Sequence, residues 1–195
     1  RRTCSAGLPG KWGCSPWEGS MDSARSILRA QLMAVGPRGA VVHGAAVARE
    51  EGSVLMLAPS DGGKTTAAYN LAGLGWRLIG DDSVVVAQGT DGVVRTLPCG
   101  SHRMRTGRYM IAPAVLRGLV FLEKGREMVL PVAPDYGFYR AERTGWLMAR
   151  DIVPRSVLLE ARGFLDYLLR KFPAAVYRTG ARESGERLLE WLISL

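Results

Sequence analysis

Short apolar runs and longer helical periods alternate along this chain. Residues 22–35 place Ile27, Leu28, Leu32 and Met33 at helical spacing behind Ser23, a capping residue, and predict an amphipathic helix. Gly36-Pro37-Arg38-Gly39 then predicts a turn, and Ala40–Ala48 a strand carrying His43-Gly44. Glu51-Gly52 is a tight connection into a second apolar run that ends at Leu57, so a hairpin is expected here. Thr65–Leu74 reads as a helix closed by Gly75, and Trp76–Ile79 as the strand after it. Ser83–Gln88 and Val93–Leu97 flank Gly-Thr-Asp-Gly, which predicts an antiparallel pair.

The second half continues in the same way. Gly118–Glu123 and Met128–Val132 predict two strands around Lys124-Gly125-Arg126. Residues 134–150 are mixed, with Tyr136, Phe138, Tyr139 and Trp146, and a break follows at Pro154. Val157–Lys171 is a helix with Leu158, Leu159, Phe164, Leu165 and Leu168 on a broad apolar face. Ala174–Tyr177 is a short strand, and Glu183–Leu195 a last helix. No repeat recurs at periods of about 20–50 residues. Residues 1–20 hold four glycines, two prolines, Trp12 and Trp17 without periodicity. The expectation is an irregular tail, or sequence upstream of a start at Met21, followed by one domain over residues 21–195.

Composition narrows the class. With 195 residues the chain can bury a sizeable core, and 47% apolar with 23% charged content is ordinary for a globular protein. The net charge of +8 fits phosphate ligands, acidic peptides or nucleic acid alike. Basic residues are neither clustered nor interleaved with aromatics, which argues against a dedicated nucleic-acid surface. Cys4, Cys14 and Cys99 are odd in number and lack metal-ligand spacing, so neither a disulfide framework nor a zinc site is expected. No apolar run reaches the length of a membrane span and no signal-peptide core follows Arg1-Arg2, so the expected compartment is cytoplasmic.

The candidate chemistry lies in residues 55–82. An apolar run leads into Ala58-Pro59-Ser60-Asp61-Gly62-Gly63-Lys64-Thr65-Thr66, and a helix follows. The spacing is that of a phosphate-binding loop, G-x-x-x-x-G-K-[ST], with Ala58 in place of the first glycine. Backbone N–H groups of such a loop and the helix N-terminus beyond it favour anions. Lys64 is expected at the β and γ phosphates and the Thr65 hydroxyl on Mg²⁺, a hard cation that takes oxygen ligands. Asp81-Asp82 closes the next strand and can hold metal or accept a proton. The arginine-rich stretch 98–108, with Arg103 and Arg105, is either a solvated loop or a clamp on phosphate or substrate carboxylate.

His43-Gly44, a hairpin, A-P-S-D-G-G-K-T-T and W-R-L-I-G-D-D together resemble the catalytic domain of bacterial HPr kinase/phosphorylase, tightly over about residues 40–88 and loosely beyond. The resemblance implies an α/β fold: a mixed-sheet P-loop domain of the HPr kinase / phosphoenolpyruvate carboxykinase type with flanking helices. It implies ATP and Mg²⁺, with Asp81 as general base on a serine, Asp82 beside the metal, and His43 near the nucleotide phosphates. It places Arg155 near a subunit contact or substrate, and it implies a homo-oligomer. Ala58, Asp61 and Thr66 depart from the family's loop, which has glycines at the first two positions and a glutamate at the third. The longer signature that shapes HPr binding is missing from 116–125. The chain is thus more similar to the small HPr-kinase-like proteins, some of which phosphorylate a serine of a ribosomally made precursor peptide.

The expected activity is therefore an ATP-dependent kinase acting on a protein or peptide serine. A small-molecule kinase of the same architecture and a non-catalytic nucleotide-binding domain are the alternatives. No nucleic-acid or membrane partner is expected.

Overall fold

Apolar runs too short for helices become strands here, and the most continuous of them lies in the middle of the sheet. The computed structural model describes residues 38–98, 113–146, 154–180 and 186–195. In chain order the elements are β1 (Gly39–Val42), β2 (Ala45–Arg49), β3 (Gly52–Leu57), α1 (Lys64–Gly73), β4 (Arg77–Gly80), β5 (Val84–Gln88) and β6 (Val94–Pro98). They continue with β7 (Ala114–Lys124), β8 (Met128–Val132), α2 (Pro134–Thr144), α3 (Arg155–Lys171), β9 (Ala174–Thr179) and α4 (Glu186–Ile193).

The fold is mixed α/β. Among the described residues nine strands run in the order β1-β5-β6-β7-β3-β2-β4, with β9 beside β7 and β8 beside β9. β3 is parallel to β7, and β7 to β9; the other pairs are antiparallel. Every residue of β3 is buried, as expected of a strand covered on both faces. Its side chains alternate between two cores. Leu55 and Leu57 meet Phe121, Ala141, Phe164 and Leu168 on the side of α2 and α3. Val54 and Met56 meet Ala67, Leu71, Leu188 and Leu192 on the side of α1 and α4.

β7 ties the sheet together. Its first residues pair with β6, and residues from Leu116 onward pair with β3. The register slips between Ser53 and Val54 where this change occurs. The junction holds a buried polar pair: Thr96 Oγ1 donates to Ser53 Oγ at 2.8 Å, and Ser53 Oγ donates to the Val115 carbonyl at 3.0 Å. Each hydroxyl is fully buried and satisfied, so neither carries the penalty of a lone buried polar group.

Several elements differ from the sequence expectation. The single strand Ala40–Ala48 is two strands, broken at His43-Gly44, because β1 pairs with β5 while β2 pairs with β3 and β4. The β2–β3 hairpin forms as expected, with Arg49 opposite Gly52. The mixed stretch 134–150 contains α2, and β7 begins four residues before the expected strand, at Ala114 rather than Gly118. α2 starts with Pro134 in its first turn, and its small residues Gly137 and Ala141 are buried. The expected tail 1–20, the helix 22–35 and the arginine-rich stretch up to residue 108 lie outside the described residues, save Pro98. No helix among the described residues is long and apolar enough to cross a membrane.

Candidate active site

The loop between β3 and α1 folds back on itself. The Gly62 amide donates to the Pro59 carbonyl at 3.0 Å, closing a turn. A Cβ at Gly62 would sit 2.7 Å from the Ala58 Cβ and 2.8 Å from the Pro59 oxygen, so the turn has room only for glycine. Gly63 follows with φ 87°, in the left-handed region, and caps α1 without a side-chain hydrogen bond. The first turn of α1 carries Lys64, Thr65 and Thr66 and no acidic residue. Its N–H groups and the positive end of the helix dipole therefore remain available to an anion.

Lys64 is buried, and its Nζ donates to the carbonyls of Ala58 at 2.9 Å and Pro59 at 3.0 Å. Burial lowers its pKa, and Asp82, Asp81 and Asp61 pull it back up. The lysine thus holds the loop's own acceptors and faces three carboxylates.

The end of β4 supplies the acidic pair. Thr65 Oγ1 donates to Asp81 Oδ1 at 3.0 Å, and Asp81 is 2% exposed. Asp82 is turned the other way: its side chain is 70% exposed, and its φ of 73° is one that few residues other than Gly, Asn and Asp adopt. His43 Nδ1 lies 3.5 Å from Asp82 Oδ1. The break between β1 and β2 positions this histidine, and its amide donates to the Trp146 carbonyl at 2.6 Å. Among the described residues His43 Nε2 is buried without a hydrogen-bond partner. Burial and then Lys64 lower the histidine pKa, against the opposing pull of Asp82. The ring is therefore biased toward its neutral form, a hydrogen-bonding group rather than a fixed cation.

These side chains line one cleft of about 500 Å³. Ser60, Asp61, Gly62, Gly63, Lys64, Thr65 and Thr66 come from the loop and α1, Asp81 and Asp82 from the end of β4, and His43 from the β1–β2 break. Ala58 and Pro59 lie behind it and act through their carbonyls on Lys64. Arg155 is not brought to this cleft. It lines a separate groove of about 330 Å³ with Trp146, Leu158 and Arg162. Arg103 and Arg105 lie outside the described residues. The Trp146 carbonyl was not foreseen: nothing in the sequence couples it to His43, which is distant in the chain.

A hydroxyl and a carboxylate 3.0 Å apart, with a second carboxylate in the next residue, are hard oxygen ligands of the kind Mg²⁺ takes. Among the described residues no group of three or more His, Cys, Asp or Glu is placed to hold a metal ion. Thr65 and Asp81 fit such an ion as two of its oxygen ligands.

No protein-family model and no curated protein matches the chain. Among solved structures, the chain is similar to the HPr(Ser) kinase/phosphatase from Coxiella burnetii, at 12% identity and a TM-score of 0.45, over 79% of this chain and 88% of that one.

Proposed function

We propose that the chain is an ATP-dependent phosphotransferase that acts on a serine hydroxyl of a protein or peptide. One observation carries this reading: the lysine and threonine of a phosphate-binding loop, an aspartate pair and a histidine, from three separate segments, line the same cleft. The loop amides and the N-terminus of α1 would take the β and γ phosphates. Lys64 would exchange the Ala58 and Pro59 carbonyls for phosphate oxygens. Thr65 and Asp81 would hold Mg²⁺, which would supply neutralisation of phosphate charge.

The two aspartates divide by environment. Asp81 is buried and accepts from Thr65, which suits a ligand. Asp82 is exposed in the cleft and sits beside His43. We therefore assign Asp82, not Asp81, as the group that takes the acceptor proton. As the acceptor oxygen bonds to the γ-phosphorus, the bond from phosphorus to the β–γ bridging oxygen breaks and ADP departs. The hydroxyl proton passes to the Asp82 carboxylate. Positioning and charge stabilisation supply most of such catalysis, so this small set of side chains suffices.

The test is calorimetric titration of the purified protein with ATP and Mg²⁺, followed by incubation with γ-labelled ATP and a serine-containing peptide library. Mg²⁺-dependent binding and label on serine are expected. Absence of nucleotide binding would remove the reading; binding with label on no peptide, but on a free metabolite, would move it to a small-molecule kinase.

A further inference from the structure

We infer that the exposed face of α2 is the docking surface for the acceptor polypeptide and selects an acidic segment of it; this rests on the phosphotransferase reading above. The face is a stripe. Tyr136, Tyr139, Arg140 and Arg143 recur at i, i+3, i+4 and i+7, which places them on one side of the helix. Tyr136 is 50% and Tyr139 55% exposed and Arg143 is exposed, Arg140 is half-buried with its guanidinium also over the Phe121 ring, and the small residues Gly137 and Ala141 face the core. A helix that needed only to cover the sheet would turn its large rings inward.

The stripe is preorganised. The two tyrosine rings stack with centroids 6.5 Å apart. The Arg140 guanidinium lies over Tyr136 at 5.7 Å, and Arg143 over Tyr139 at 5.6 Å. Arg143 also donates to the Tyr139 hydroxyl at 2.8 Å. Tyrosine and arginine are the residue types that dominate binding energy at protein interfaces, and rings already held in place lose little freedom on contact. Arg143 meets no carboxylate among the described residues, so its charge is open to a partner.

Its position connects it to the chemistry. The chain leaving α2 reaches Trp146, whose carbonyl accepts from the His43 amide at 2.6 Å. From Tyr136 to the end of α2 at Thr144 is about 12 Å along the helix, the length of an extended peptide of about four residues. Beside the middle of the stripe, Glu123 accepts from Arg140 at 2.7 Å and from Arg178 at 2.8 Å.

Charge chooses the occupant. Arg140 and Arg178 share Glu123 on this patch, the flanking Glu142 and Asp135 are held by Arg162 and Arg170, Arg143 is left over, and the whole chain carries +8. A second copy would bring the same sign of charge, whereas an acidic polypeptide is complementary. A nucleic-acid backbone follows a row of open cations, and on this stripe Arg140 is already held by Glu123, which leaves Arg143 as the arginine not paired with a carboxylate among the described residues.

The experiment is fluorescence anisotropy without nucleotide, using a fluorescein-labelled hexaglutamate peptide ending in serine. Its hexalysine counterpart and a labelled oligothymidylate are the comparisons. Saturable binding of the glutamate peptide alone is expected. Arg143→Glu and, separately, Tyr139→Ala should each weaken it by about tenfold or more. Both side chains are exposed, and circular dichroism melting checks that each variant folds. Lys64→Ala should leave the affinity unchanged, so loss of ATP turnover and loss of docking are read independently. Unchanged peptide affinity in both α2 variants overturns the proposal. So does tighter binding of oligothymidylate, or a dimer in sedimentation that Tyr139→Ala dissociates while peptide affinity stays the same.

Discussion

Thr65 donates its hydroxyl to Asp81 at 3.0 Å, and this bond joins the first turn of α1 to the residue that follows β4. It separates two neighbouring carboxylates into different environments, one buried and bonded, the other exposed beside His43.

Asp82→Asn is expected to lower the transfer rate by about 10²–10⁴-fold while nucleotide affinity changes little. Asparagine is the variant to use, because it tolerates the left-handed backbone that alanine would strain. Asp81→Asn should instead raise the Mg²⁺ concentration needed for half-maximal activity. Single-turnover kinetics over a Mg²⁺ series distinguishes the two, and the opposite pattern would return the base to Asp81.

Lys64→Ala removes a cation from a buried position and leaves the loop carbonyls of Ala58 and Pro59 without their donor. Losing a charge-assisted contact of about 1.5–3 kcal/mol corresponds to nucleotide affinity about 10–100-fold weaker. Calorimetric titration measures this directly, and wild-type affinity in the variant would exclude the loop as the phosphate site.

Gly62→Ala places a methyl group against the Ala58 Cβ and the Pro59 oxygen, both nearer than 3 Å. The turn must open, so the variant should fold with a stability loss of about 1–3 kcal/mol and bind nucleotide poorly. Thermal melts with and without ATP and Mg²⁺ show both effects. A ligand-induced rise in Tm equal to that of the unaltered protein would mean the turn is not part of the site.

Glu123 supplies a pH dependence of known sign. Its hydrogen bond from Arg178, and that from Arg140, hold its pKa below the usual carboxylate value, against burial. The unfolded chain therefore binds this proton more readily than the folded one. The contribution is present above a pH of about 4.3, the ordinary glutamate value, and is lost as acid protonates the folded state. Glu123→Gln should lower stability at neutral pH by about 1 kcal/mol, seen as roughly 2–4 °C in Tm, and flatten the acid limb. Parallel acid limbs in the two proteins would assign that limb to other groups.

The sheet was legible where burial on both faces gives an unbroken apolar run, as in β3, or where turn residues mark a hairpin, as between β5 and β6. The grouping of Lys64, Thr65, Asp81 and Asp82 was legible because one strand–helix–strand unit brings them together over a short stretch. Two features were not. The break at His43-Gly44 depends on which strands β1 and β2 find, and Ala40–Ala48 is apolar throughout save for those two residues. α2 hides because it reverses the usual pattern, with tyrosines outside and Gly137 and Ala141 inside. A period-based reading follows the large residues and so misses the helix.

β7 has a consequence for how the protein is made. It is the neighbour of β3 on the side away from β2, and it comes late in the chain. A nascent polypeptide emerging from the ribosome carries β3 with one edge bare until residue 124 is released, a sticky intermediate of the kind chaperones shield. Nucleotide affinity in a series of stalled translation products would then report when β7 docks.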